Sequence, residues 1–372
     1  WSAAPTLFGL PVVLIRLMII HLGLALVFVL SSQVLRLAHR SVSFSLISVL
    51  QTITSIGGIL LLVVYYEKGV YGKYVAECIA AFVVAVYGLW LMRSHLRWNL
   101  DLKPFLKSFR FGVFLVPHVL CLSLLQGADL FVLEKYLGVS EVGVYSLGYT
   151  ISTTLSLLYF GIEKAVSPFF FSSSKNSAER KHYTAINTIV IGVLALCGVG
   201  LIVFAREITT LMNASYAAAQ TVIPIATAGM FIYTLSSTPS KILHEVDRTP
   251  LLAYASIVCA VVNLVLNLVL IPRFGMIAAA YTTLASYALY TAILLVITQR
   301  IKPFPYEYRR LAGVCLSALI CILIAFQFPE ASMFTWTTLA KLLCVLSTYP
   351  IFLYLFGFFS ARPHLFEPLP NP

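Results

Sequence analysis

The chain has 372 residues, of which 60% are hydrophobic and only 10% charged, and its mean hydropathy is +0.93. That composition excludes an ordinary soluble domain and indicates an all-α polytopic membrane protein, because segments crossing lipid must satisfy their backbone polar groups internally. The net charge of +11 does not argue for nucleic acid here, since a basic excess on a membrane chain collects in cytoplasmic loops.

The sequence opens WSAAPTLFG, with neither an initiator methionine nor the pattern of a signal peptide, so a missing start is expected. A hydrocarbon core about 30 Å thick needs roughly 20 apolar helical residues. Eleven such runs follow, at 10–35, 42–66, 70–92, 110–133, 142–170, 184–205, 217–240, 250–271, 276–299, 311–328 and 334–358.

The first run carries Arg16 and His21, and ionisable groups at bilayer depth are costly enough to be functional candidates. Arg16 either lines a cavity, where its guanidinium can fork onto a diphosphate, or snorkels to the outer interface. His21 is either a titratable proton site or a hydrogen-bonded structural histidine. After the third run, the basic stretch from Arg93 to Arg110, with Trp98, Phe105, Phe109 and Phe111, looks like an interfacial linker on anionic lipid.

Asp129 sits near the outer end of run four, where it binds a coupling ion, pairs with Lys135, or acts at the helix end. Glu163 and Lys164 precede Pro168 in run five. Neighbours on a helix point about 100° apart, so one is expected to face a cleft while the other snorkels. Asn263 and Asn267, four residues apart on one helix face, are expected to be structural amides bonding between helices.

Seventeen of the 25 Lys and Arg residues lie after the odd-numbered runs and six in the other connections. The positive-inside rule then places residue 1 outside and the C-terminus in the cytoplasm. The seven cysteines, all in apolar runs without metal-site spacing, are read as buried small hydrophobes.

A repeat whose copies lie about 206 residues apart relates Leu60–Leu91 to Leu268–Ile297, each an apolar helix, a short turn and a Gly-x-x-small opening. Repeats of like orientation make two pseudo-symmetric lobes and permit alternating access. The organisation expected is an incomplete first lobe of three spans at 1–93, a cytoplasmic linker at 94–107, a six-helix lobe at 108–300, and an extra helix pair with a cytoplasmic tail at 301–372. Three further helices are expected upstream.

Asn263-x-x-x-Asn267, then Ile271-Pro272-Arg273-Phe274-Gly275 and the Ala278–Ala280 run, resemble the penultimate-helix signature of O-antigen-type polysaccharide biosynthesis flippases. These belong to the multidrug/oligosaccharidyl-lipid/polysaccharide exporter superfamily. Gln126-Gly-Ala-Asp129, Leu137-Gly138, Gly143-Val-Tyr145 and Pro168 extend the resemblance, which covers about 36–300; Ala278 stands where the family often has glycine. The resemblance implies carriage of an undecaprenyl-diphosphate-linked oligosaccharide across a bacterial or archaeal cell membrane for O-antigen, capsule or exopolysaccharide synthesis. A polysaccharide polymerase and a chain-length regulator are the protein partners it implies.

No catalytic constellation, metal site or Gly-x-x-x-x-Gly-Lys loop is found in the sequence, so no cofactor is expected and the energy is expected from an ion gradient, with H+ or Na+ as the candidate ions, from the membrane potential or from substrate supply. Two other readings stay open: a cation-coupled multidrug extruder, and a membrane polymerase or glycosyltransferase, for which the outer loops look short.

Overall fold

Apolar segments of this length close their hydrogen bonds within themselves as helices, and helices account for nearly all of the computed structural model. The structure describes residues 6–7, 10–37, 40–93, 101–113, 115–172, 177–328 and 335–359. The chain divides into two compact units, Trp1–Asp101 and Leu102–Pro372.

In the first unit a two-residue antiparallel ladder, Thr6–Leu7 with Leu10–Pro11, precedes α1 (Val12–Leu37). α2 (Ser41–Ile59) continues as a π-helical stretch, Leu60–Tyr65, and α3 (Gly69–Met92) completes the unit. The face that α3 buries is made largely of small residues, among them Gly72, Ala76, Ala80, Ala81, Ala85 and Gly88. Small side chains let helices approach closely where lipid supplies no hydrophobic drive.

Gly88 is the tightest point: an added Cβ would lie 2.5 Å from Ser31 Oγ and 3.2 Å from Ile47 Cδ1. Gly88→Ala is therefore expected to destabilise this unit by about 1–3 kcal/mol through overpacking, read as a lowered unfolding temperature in detergent. An unchanged temperature would show that α3 can shift without cost.

The second unit begins with α4 (Leu102–Val113), a separate short helix, followed by α5 (Leu115–Leu137). The expected fourth span, 110–133, is thereby corrected by about four residues, because 110–113 belong to the amphipathic helix before it. α6 (Val139–Ser172) and α7 (Ser177–Val203) follow. A short α8 (Ala205–Thr210) leads to α9 (Ala219–Leu235) and α10 (Ser237–Glu245). The chain ends through α11 (Thr249–Ile301), α12 (Tyr308–Ala325) and α13 (Trp336–Leu355).

α11 is two helices. At Gly275 the backbone takes φ 68° and ψ −151°, a conformation open essentially to glycine. Thr282 donates to Asn267 across the turn, although fifteen residues of straight helix would separate them by about 22 Å. The corresponding glycine of the repeat, Gly69, also has positive φ, at 54°. The repeat thus has a local basis in a glycine that reverses the chain. Ala278 is buried where Gly72 stands in the other copy.

Nine helices among the described residues are long and apolar enough to cross a membrane, with α9 and α10 forming one of them. Two adjustments bring the membrane-length helices to the eleven marked in the sequence. α11 contributes two arms, and the 34-residue α6, diluted by serine, threonine and tyrosine, is long enough as well.

Hydroxyls tie the second unit together. Ser152 on α6 donates to the Ile223 carbonyl at 3.1 Å and accepts from Thr227 on α9 at 3.1 Å. Tyr349 on α13 donates to the Gly192 carbonyl on α7 at 2.8 Å. The cysteines depart from expectation: Cys259 and Cys321 are buried, but Cys315 is exposed and the other four are half-buried. A thiol on a lipid-facing helix surface meets no penalty, so apolar sequence context alone did not imply burial.

Candidate functional site

The described charged and polar side chains gather in separate places, four of them within the second unit. α5 is longer at its outer-read end than the sequence suggests, so Asp129 lies eight residues, about 12 Å, inside that end. It is fully buried. Tyr145 of α6 donates to Asp129 Oδ2, the Leu130 amide donates to Oδ1 at 3.0 Å, and Thr283 of α11 donates to Oδ2 at 3.4 Å. Pairing with Lys135 does not occur; that lysine is exposed, its ammonium 5.5 Å from the Tyr136 ring. Among the described residues, the hydrogen-bond partners of Asp129 are all neutral. A bare carboxylate in such surroundings needs a proton or a cation.

From Asp129 a buried group of tyrosines extends through the unit. Tyr145 stacks on Tyr149 at 5.9 Å, the Tyr149 and Tyr287 hydroxyls are 3.2 Å apart, and Tyr233 packs on Tyr287 and Tyr290. His118 stacks on Tyr290 at 6.2 Å. Sequence reasoning missed this cluster. Its signal was present in the helical spacing of Tyr145 with Tyr149 and of Tyr287 with Tyr290.

Asn263 and Asn267 are fully buried beside one another. Asn267 Nδ2 donates to Asn263 Oδ1 at 3.0 Å, and Thr282 donates to Asn267 Oδ1. The amides thereby join the two arms of α11 across the Gly275 reversal.

At the other end of the helices, Glu163 is half-buried on α6 while Lys164 is exposed. Glu163 Oε1 pairs with Lys241 Nζ of α10 at 2.6 Å, and Tyr159 donates to its other oxygen at 2.9 Å. Lys241 also donates to Tyr183 of α7 at 2.7 Å and lies over the Phe170 ring. Nearby, Glu245 pairs with Lys302 at 2.6 Å and Arg180 at 3.6 Å. Burial pushes the neighbouring Tyr306 hydroxyl above the usual tyrosine value. Lys241, read from sequence as a loop charge, is buried here.

A fourth site joins α8 to α13, where Lys341 Nζ pairs with the fully buried Glu207 at 2.8 Å. In the first unit Arg16 is exposed on α1 and His21 is half-buried. His21 Nε2 lies 3.9 Å from Glu77 Oε2 of α3, an acid that sequence reasoning did not single out. Trp98 and the rest of 94–100 lie outside the described residues, as does the Phe111 side chain.

Helices of membrane length that hold ionisable groups paired or hydrogen-bonded inside the bundle define a polytopic all-α membrane protein. Its fold resembles the lipid II flippase MurJ in an inward closed conformation, with a TM-score of 0.65 and 16% identity over 93% of this chain and 75% of that one. The chain belongs to the family described as polysaccharide biosynthesis protein, whose model matches residues 6–216, more than half its length.

Two curated relatives come from Haloferax volcanii. The probable low-salt glycan biosynthesis flippase Agl15 is 24% identical over 204 residues, 54% of this chain and 43% of that protein. The probable flippase AglR is 25% identical over 241 residues, 62% of this chain and 49% of that protein. The chain thus spans less than half the length of the curated relatives it matches.

Proposed function

We propose that this protein takes part in flipping a lipid-linked oligosaccharide across a cell membrane. The observation that carries the reading is the family match over residues 6–216, joined to relatives that are themselves described as flippases. The substrate in its finer form is an undecaprenyl-diphosphate-linked repeat unit for O-antigen, capsule or exopolysaccharide. A polymerase and a chain-length regulator take the product onward.

Movement is by alternating access of two lobes, with the C-terminus in the cytoplasm and no ATPase or catalytic site in the chain. Arg16 offers the cation that a crossing diphosphate requires. Asp129, buried among neutral donors, holds the coupling H+ or Na+. Glu163 serves the opposite, inner end through Lys241, and His21 with Glu77 adds a second ionisable pair.

Cells lacking the intact protein are expected to accumulate the lipid-linked repeat unit in the inner leaflet, measured by leaflet-selective chemical labelling and mass spectrometry. Arg16→Gln is expected to reproduce most of that accumulation. Normal surface polysaccharide in the deletion strain would sink the proposal.

A further inference from the structure

The interior of the second unit holds a column of phenols to which no role has yet been given. Thr283, Tyr287 and Tyr290 recur on the second arm of α11 at helical spacing, as Tyr145 and Tyr149 do on α6, so each set lies on one face of its helix. The two sets meet at the Tyr149 and Tyr287 hydroxyls, 3.2 Å apart. Tyr145, Tyr287 and Tyr290 are at most 1% exposed. Phenylalanine would fill such a core without the cost of burying hydroxyls, about 1–3 kcal/mol for each one left unpaired. What a phenol adds is an oxygen that both accepts and donates a proton.

The column has two distinct ends. One is Asp129, to which Tyr145 and Thr283 donate. The other is His118, eleven residues back on α5 and so about 16 Å toward its Leu115 end, the inner end by the charge pattern. His118 is 8% exposed, and its Nδ1 is buried with no hydrogen-bond partner among the described residues. The groups facing it are the Tyr290 ring of α11, the His244 imidazole of α10 and the Leu252 backbone. Tyr233 of α9 fills the middle, its ring 5.0 Å from Tyr287 and 6.3 Å from Tyr290. In the other direction from Asp129, on the side of the Gly138 and Gly275 turns, the packing is apolar, with Val132, Leu133, Ile271 and Met276 together.

We propose that this column carries protons between Asp129 and the Leu115 end of α5, and that His118 is the group through which they enter and leave. An acid and a histidine joined through buried polar side chains have the make-up of a proton relay. A proton bound at His118 Nδ1 is passed on as a series of O–H shifts, each phenol oxygen gaining one proton and releasing its own to the next acceptor. The net change is one proton lost from His118 and one O–H bond formed on Asp129, with every phenol neutral before and after. Where rings stack, as His118 on Tyr290 and Tyr145 on Tyr149, a transient water is the carrier, held by the polar partners that a buried water needs. The apolar packing beyond Asp129 leaves the His118 side as the open direction in this arrangement.

The inference rests on Asp129 as the ion-holding group of the proposed flippase, but its test needs no lipid-linked sugar and so fails separately from that reading. The full chain in nanodiscs is followed by time-resolved infrared spectroscopy after a flash-released pulse of protons. The carboxylic carbonyl band of Asp129 is the one missing from Asp129→Asn protein. Tyr287→Phe keeps the ring and removes one hydroxyl, and it is expected to slow the rise of that band about tenfold while leaving its final amplitude unchanged. His118→Phe, which keeps a ring against Tyr290, is expected to do the same. Should Tyr287→Phe not fold, Tyr149→Phe removes the other hydroxyl of the pair and is expected to behave alike. Tyr281→Phe, exposed on the same arm of α11, is the control and keeps the original rate. An unchanged rate in Tyr287→Phe or His118→Phe would overturn the path, as would equal slowing in the control. A fall in amplitude at unchanged rate would overturn it by making the phenols determinants of the proton affinity of Asp129. Absence of any Asp129 band would overturn it in favour of a metal cation at the carboxylate, while accumulation of the lipid-linked unit in the deletion strain would still support the flippase.

Discussion

Lys341→Met is expected to lower the stability of the protein in detergent by about 3–5 kcal/mol, the cost of leaving one member of a buried ion pair without its partner. Glu207 is the member left behind, and it is 1% exposed. Its Oε1 accepts from Lys341 at 2.8 Å, and its Oε2 has no hydrogen-bond partner among the described residues. At that exposure the carboxylate has no ready contact with water to replace the ammonium. The Phe204 ring, 5.4 Å from Lys341 Nζ, would lose its cation as well.

The loss should be local to the attachment of α12 and α13. Besides this pair, α13 is held to α7 by the Tyr349 hydroxyl and by apolar packing around Val345 and Leu353. The double variant Glu207→Leu/Lys341→Met is expected to regain most of the stability, since replacing both members by apolar groups removes the stranded charge. Thermal unfolding followed by near-ultraviolet circular dichroism checks both. A single variant as stable as the unmodified chain would show that water or lipid headgroups reach Glu207.

This pair also shows what the sequence could and could not disclose. The spans were legible because lipid forces every apolar run of sufficient length into a helix, and the reversal at Gly275 was legible because proline and glycine interrupt that pattern. The polar partners were not. Lys341 and Glu207 are 134 residues apart, and no local rule relates them. Lys241 sits in a polar stretch between apolar runs, where a lysine ordinarily reads as a loop cation, yet α10 continues the line of α9 and carries it inward to Glu163.

Asp129 was legible as a candidate because a carboxylate in an apolar run is conspicuous. Its depth was misread because α5 runs on to Leu137, four residues past the end of the apolar run, just as its start was confused with the amphipathic α4 before it. The boundary between an interfacial helix and a spanning one is a change of environment, which composition marks only weakly.

Asp129 gives the second large effect. Asp129→Leu is expected to destabilise the second unit by about 3 kcal/mol, because the buried Tyr145 and Thr283 hydroxyls would both lose the carboxylate that accepts from them. Asp129→Asn is the informative contrast. Its Oδ1 can still accept, and its Nδ2 can donate to the Tyr145 oxygen if that hydroxyl turns, so stability should change by only about 1 kcal/mol.

What Asn cannot do is carry a negative charge or exchange a proton at that depth. If the carboxylate holds the coupling ion, Asp129→Asn protein will reach the membrane in normal amounts, unfold near the usual temperature and fail to restore surface polysaccharide in a deletion strain. Full restoration by Asp129→Asn would assign the carboxylate to joining α5, α6 and α11, and the ion would have to be sought at another described acid, first at Glu77 beside His21.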